Sequence, residues 1–131
     1  MAARGSGNRA FPWGNTFDAS AANTASANRG RLTPVASHAR GATPEGISDL
    51  IGNVWEWTSS TLEQYPGGPA LADSMRQFKV IRGGAFNTPN AYATSWHRGW
   101  APPATKPDEL EFTGFRCAMT LPDTSASSGA R

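Results

Sequence analysis

The side chains with the most chemical character fall in two stretches. The first is Trp55-Glu56-Trp57, where a carboxylate stands between two tryptophans. A carboxylate held among indoles is costly to bury unless a cation or several hydrogen-bond donors accompany it. The alternatives are a metal ion, a guanidinium from Arg82, Arg98 or Arg116, or a side chain simply turned to water. The second stretch, Ala85 to Thr113, carries Asn87, Asn90, Tyr92, Ser95, Trp96, His97, Arg98 and Trp100. These types combine rigid contact area with adaptable hydrogen bonding, which suits a binding surface. The competing reading has Trp96 and Trp100 covering the core, Arg98 bracing a carboxylate, and His97 as an ordinary packed or surface imidazole. No Ser-His-Asp set, phosphate loop or acid–base carboxylate pair stands out. His38, His97 and Cys117 lie too far apart for a zinc-ligand spacing, and a single cysteine makes no internal disulfide.

Three strands are expected to position these groups. Gly52-Asn53 is a turn signal, and the β-branched and aromatic run to Thr58 that follows reads as a strand with Trp55 and Trp57 on one face and Val54 and Glu56 on the other. Lys79-Val80-Ile81-Arg82 reads as a second strand, ended by Gly83-Gly84. Phe115 to Met119 reads as a third, with Phe115, Cys117 and Met119 sharing a core face. Thr43-Pro44-Glu45-Gly46 suits a short helical turn. Asn15 to Pro44 shows neither helical nor strand periodicity and reads as surface loop, and Ala85 to Thr113 as a long, ordered, surface-packed connection.

The chain of 131 residues has room for one domain, and its 14 Gly and 10 Pro predict many loops. Leu, Ile, Val and Phe are scarce, but five Trp supply buriable surface and a net charge of +2 is too small to hold the chain open. The sequence therefore reads as a loop-rich globular domain with an aromatic core over 11–121, between a flexible N-terminus over 1–10 and a flexible tail over 122–131. Charge alternates in blocks: basic before Glu45, acidic to Met75, basic again to Lys106, then acidic. Such blocks suit segments that neutralise one another, and no nucleic-acid motif accompanies them. No apolar run reaches the length of a membrane span and no signal-peptide core follows Met1, so a cytoplasmic location is the default expectation.

Four pieces in order, Phe11-Pro12-Trp13-Gly14-Asn15, Asp49 to Thr58 with its GNVWEW core, Val80-Ile81-Arg82-Gly83-Gly84, and Gly114-Phe115-Arg116-Cys117, together resemble the formylglycine-generating enzyme (sulfatase-modifying factor) family. The resemblance implies an α+β fold with little regular secondary structure, a variant of the C-type-lectin fold. It covers the C-terminal half of the family domain, so a chain truncated at its N-terminus is the expectation. The family oxidises a substrate cysteine to formylglycine with oxygen and a copper ion held by two cysteines. Those positions fall on Thr88 and Ala93, neither of which offers a soft thiolate, so copper is not expected. Cys117 matches a structural cysteine of the terminal strand.

The resemblance also implies a calcium site, with side-chain oxygens at Asp49 and Glu56 and backbone carbonyls at Gly52 and Val54, a donor set that suits a hard cation. The family's other calcium loop matches only at Asn23 and Thr24. Relatives with lectin-like folds display ligand-binding faces between Gly-Gly and Gly-Phe-Arg, where the eight residues of the second stretch lie. The functional expectation is a non-catalytic binding or assembly module that works against another protein chain, either a copy of itself or a larger assembly. The alternatives are a metal-dependent oxidoreductase of the same superfamily, like the sulfoxide synthases, and a fragment of a longer active oxidase.

Overall fold

The computed structural model describes residues 2–103 and 112–120. Among these residues the regular structure is one mixed sheet of four strands and three single-turn 3₁₀ helices. The strands are β1 (Trp55–Thr61), β2 (Lys79–Arg82), β3 (Gly99–Ala101) and β4 (Thr113–Gly114), in the spatial order β3-β2-β1-β4. β2 runs antiparallel to both neighbours, whereas β4 lies parallel to β1 over two residue pairs. The little regular secondary structure agrees with the sequence expectation. Among the described residues no helix is long and apolar enough to cross a membrane.

β1 and β2 form where β-branched and aromatic residues cluster, and their pairing of Glu56 with Arg82 and Trp57 with Ile81 centres the sheet. β3 was not foreseen. Its Gly-Trp-Ala sequence has no strand pattern of its own, and it exists because β2 offers it an unpaired edge.

The expected third strand is corrected. Only Thr113 and Gly114 pair with β1, and Phe115, Cys117 and Met119 lie exposed instead of sharing a core face. After Gly114 the guanidinium of Arg116 binds Glu56 and the carbonyls of Ser48 and Asp49, and no further strand-like pairing follows to 120. Cys117 is therefore a free surface thiol. Residues 43–46 form a tight turn, Gly46 N–H to Thr43 carbonyl at 2.9 Å, and no helix.

The core is also less aromatic than the composition suggested. Fully buried apolar positions are mostly small or aliphatic, with Ala22, Ile51 and Ala93 at the centre, and Trp13 packs on them from the side. Phe11 stacks on Trp13 with centroids 5.2 Å apart and meets Phe17 edge-on at 5.6 Å. Of these three aromatics Phe11 is buried, while Trp13 and Phe17 are only partly so.

The segment 15–44, expected as surface loop, supplies some of the most buried residues, Ala21 to Thr24. An amide clasp explains why. Asn23 donates through Nδ2 to the Arg31 carbonyl (2.9 Å) and to Asn53 Oδ1 (3.1 Å), and its own carbonyl accepts the Asn53 N–H (2.8 Å). Asn53 in turn accepts the Thr33 N–H and donates to the Thr33 carbonyl. Two asparagines, side chain and backbone together, replace a strand pairing and fix the turn that enters β1.

Candidate functional site

Two places in the fold gather the residues singled out above. The first is an open depression of about 500 Å³ over β2 and β3. Trp55 and Ile81 reach its floor because Gly99 has no side chain; a Cβ there would stand 2.9 Å from Ile81 Cγ1 and 3.0 Å from Trp55 Cζ3. Tyr92, His97, Arg98 and Trp100 surround that floor, with Asn87, Thr88 and Pro89 along one side. The His97 ring lies 5.1 Å from Tyr92 and 6.0 Å from Trp55, so three rings form one tilted series. Tyr92 and Trp100 remain about half exposed. An exposed array of this kind suits a flat or aromatic partner group.

The structure brings together Asn87, Tyr92, His97, Arg98 and Trp100 of the eight expected surface residues. It assigns Asn90 and Ser95 elsewhere. Asn90 accepts from the Ser26 hydroxyl, and Ser95 donates to the carbonyls of Arg9 and Ala10, tying the N-terminal stretch to this connection. Trp96 is exposed but lines no part of the depression. Trp55, Ile81, Thr88, Pro89 and Gly99 were not foreseen in this role, although the place of Trp55 opposite Glu56 in a β-strand was readable.

Burial, and then the neighbouring Arg82 charge, lowers the His97 pKa from its ordinary value of 6.5. The imidazole is therefore neutral near pH 7. A native state that disfavours the imidazolium binds fewer protons than the unfolded chain, so this contribution is fully present above pH 6.5 and is lost as pH falls through the lower native value. Wild-type protein is expected to melt progressively earlier as pH drops from 7 to 5, and His97→Gln to show a shallower decline. Equal slopes in differential scanning fluorimetry would refute the assignment.

The second place is Glu56. Both of its oxygens receive Arg116, Nε at 2.6 Å and one Nη at 2.5 Å, and the same guanidinium donates to the Ser48 carbonyl at 2.9 Å and the Asp49 carbonyl at 2.7 Å. The Glu56 hydrogen bond, against the opposing effect of burial and with the charges of Glu56 and Asp49 adding to it, raises the Arg116 pKa further. The Asp49 carboxylate accepts the Ala36 N–H at 2.6 Å. Of the expected calcium ligands Asp49, Gly52, Val54 and Glu56, the two carboxylates accept from separate protein donors, the Ala36 N–H and the Arg116 guanidinium. The positive charge beside Glu56 is a guanidinium, and the two carboxylates serve different partners.

The two positions that copper would need are both structural here. Thr88 is buried and its hydroxyl accepts the Ala85 N–H at 2.8 Å, while Ala93 is completely buried beside Ala22 and Ile51.

Residues 1–121 match the family model for the sulfatase-modifying factor enzyme 1-like domain. Hercynine oxygenase of Mycobacterium tuberculosis is 31% identical over 120 residues, covering 86% of this chain and 28% of that protein. The inactive C-alpha-formylglycine-generating enzyme 2 of Mus musculus is 30% identical over 121 residues, covering 84% of this chain and 36% of that protein. Among solved structures, PvdO from Pseudomonas aeruginosa superimposes with a TM-score of 0.67 at 28% identity, covering 87% of this chain and 46% of that one. The chain thus spans about a third of the length of these curated relatives.

Proposed function

The chain belongs to the sulfatase-modifying factor enzyme 1-like family, and from that premise we propose that it is a non-catalytic binding and assembly module whose aromatic depression receives another polypeptide. The observation that carries this reading is the fate of residues 88 and 93. One is a buried hydroxyl already engaged by a backbone N–H, the other a methyl group in the core, and neither can ligate Cu(I) as a thiolate does. The half-exposed Tyr92 and Trp100 above Trp55 supply the rigid aromatic anchors around which binding energy concentrates.

The chemical half of the proposal is tested by incubating the chain with a Cys-x-Pro-x-Arg peptide, copper and a reductant. No aldehyde is expected by mass spectrometry, and its appearance would overturn the reading. The binding half is tested by analytical ultracentrifugation of the chain with itself, since a specific interface buries at least about 1,000 Å². Trp100→Ala is expected to weaken self-association about 30-fold, the effect of a central aromatic anchor worth about 2 kcal/mol. A wild-type chain that stays monomeric at micromolar concentration, with no co-purifying partner, would count against it.

A second reading, a metal-dependent oxidoreductase, is favoured by the match to hercynine oxygenases. Metal analysis of the purified chain separates the two: stoichiometric iron or copper supports the enzyme and its absence the module. Calcium is tested in the same preparation. With Arg116 already on Glu56, excess chelator is expected to leave the melting midpoint unchanged, and a drop of several degrees would establish that the ion displaces the guanidinium.

A further inference from the structure

β2 and β3 set two arginines against each other. Their antiparallel register pairs Lys79 with Ala101, Val80 with Trp100 and Ile81 with Gly99, so its next step brings Arg98 across from Arg82. Like charges directly opposite on a sheet destabilise it. The sheet does offer Arg82 an acid, Glu56, its partner in the register with β1. Arg116, however, occupies both oxygens of that carboxylate.

The groups that do hold the two guanidiniums are neutral. Arg82 donates to the carbonyls of Trp96 (2.8 Å) and His97 (2.7 Å). Arg98 donates to the Glu63 carbonyl at 2.9 Å and lies over the Tyr65 ring, 3.9 Å from its centroid. Among the described residues, ion pairs within 4.0 Å join Arg9, Arg40, Arg76 and Arg116 to acids but neither Arg82 nor Arg98. Both line a cavity of about 310 Å³, together with Thr58, Ser60, Thr61, Val80 and one acid, Glu63, which forms no ion pair within 4.0 Å among the described residues. Arg82 is partly desolvated, and the charges of Arg98 and Arg4 add to the burial that lowers its pKa. Two guanidiniums without an ion pair, lining one small cavity with hydroxyl-bearing residues, make a ready site for a group that can accept several N–H bonds at once.

We propose that this cavity binds a small oxyanion, through Arg82 and Arg98, with Ser60 as the hydroxyl partner, the Thr58 hydroxyl being engaged by the Val80 carbonyl at 2.9 Å. A phosphate or a carboxylate would meet the same donors, and its charge would relieve the cross-strand repulsion. The inference does not rest on the polypeptide-binding reading, although Arg98 borders both the aromatic depression and this cavity.

The test is a thermal shift of the full chain with inorganic phosphate, acetate and chloride at matched ionic strength. At about ten times its dissociation constant a bound anion is expected to raise the melting midpoint by about 6 °C. Arg98→Gln should abolish that shift and Arg98→Lys should keep part of it, while Arg40→Gln, at an exposed ion pair elsewhere, should leave it intact. A shift with phosphate alone identifies a phosphate site, one with acetate alone a carboxylate site, and either supports the proposal. Isothermal titration of the same anions reads binding directly should Arg98→Gln fold poorly. Equal shifts with all three salts, or an undiminished shift in folded Arg98→Gln, would overturn it. So would binding seen only in Glu63→Gln, since the cavity would then be neutralised by the chain's own carboxylate.

Discussion

Arg116→Met is expected to lower the melting midpoint by about 8 °C. The substitution removes four hydrogen bonds, two to the Glu56 carboxylate and one each to the Ser48 and Asp49 carbonyls. It also leaves Glu56, whose side chain keeps only 20% of its exposure, without a counter-charge. Breaking a fully buried charge pair costs about 3–5 kcal/mol. Arg116 retains 37% of its side-chain exposure, so water screens part of the interaction and about 2 kcal/mol is the appropriate scale. For a chain of this size each kcal/mol moves the midpoint by about 4 °C. Glu56→Gln in the same background should recover part of the loss, because the orphaned charge is then gone, and the double-mutant cycle should give a coupling of about 1–2 kcal/mol. A fall of less than 2 °C for Arg116→Met would mean that β4 and the turn before β1 stay together without the guanidinium.

The second large effect belongs to Gly52→Ala. Gly52 has φ +80°, and a Cβ there would stand 2.3 Å from the Asn23 carbonyl oxygen and 2.8 Å from its carbon. Neither atom belongs to a flexible side chain. The Asn23 carbonyl is already fixed by the Asn53 N–H, and Gly52 donates its own N–H to the Gly83 carbonyl at 2.9 Å, so relief of the clash breaks the clasp that leads into β1. A loss above about 3 kcal/mol is expected in urea unfolding. Gly67→Ala provides the control. Gly67 has φ +74° with no atom within 4 Å, so it reports backbone strain alone, about 1 kcal/mol. Equal losses in the two variants would show that the close approach to Asn23 carries no weight.

These two variants probe parts of the chain that differed in how readily they could be read. Gly52-Asn53 declares itself, since a Gly-Asn pair before a β-branched and aromatic run is a local turn-and-strand signal. Glu56 between two tryptophans likewise announces a need for a cation, because the cost of desolvating a carboxylate follows from its immediate neighbours. Which cation meets that need depends on the arrival of Arg116 from sixty residues away, carried there by a parallel pairing of two residues. Three arginines were equally available on paper, and only the register of β4 against β1 chose among them.

The sequence by itself determined the loop-rich class, the two central strands, the Gly-Gly that ends β2, the absence of thiolates at 88 and 93 and the family. Each follows from residue types within a few positions of one another, where backbone preference and side-chain chemistry act locally. Tertiary structure decided the rest: β3 formed on an edge its own residues do not specify, and Ala21 to Thr24 became buried through the asparagine clasp. Phe115, Cys117 and Met119 left the core, and Trp55 joined Tyr92, His97 and Trp100 in one depression. The physical reason is common to all four. With so few aliphatic residues, burial here is set less by each residue's own hydrophobicity than by which distant backbone or amide groups it meets, and that information exists only once the chain has closed.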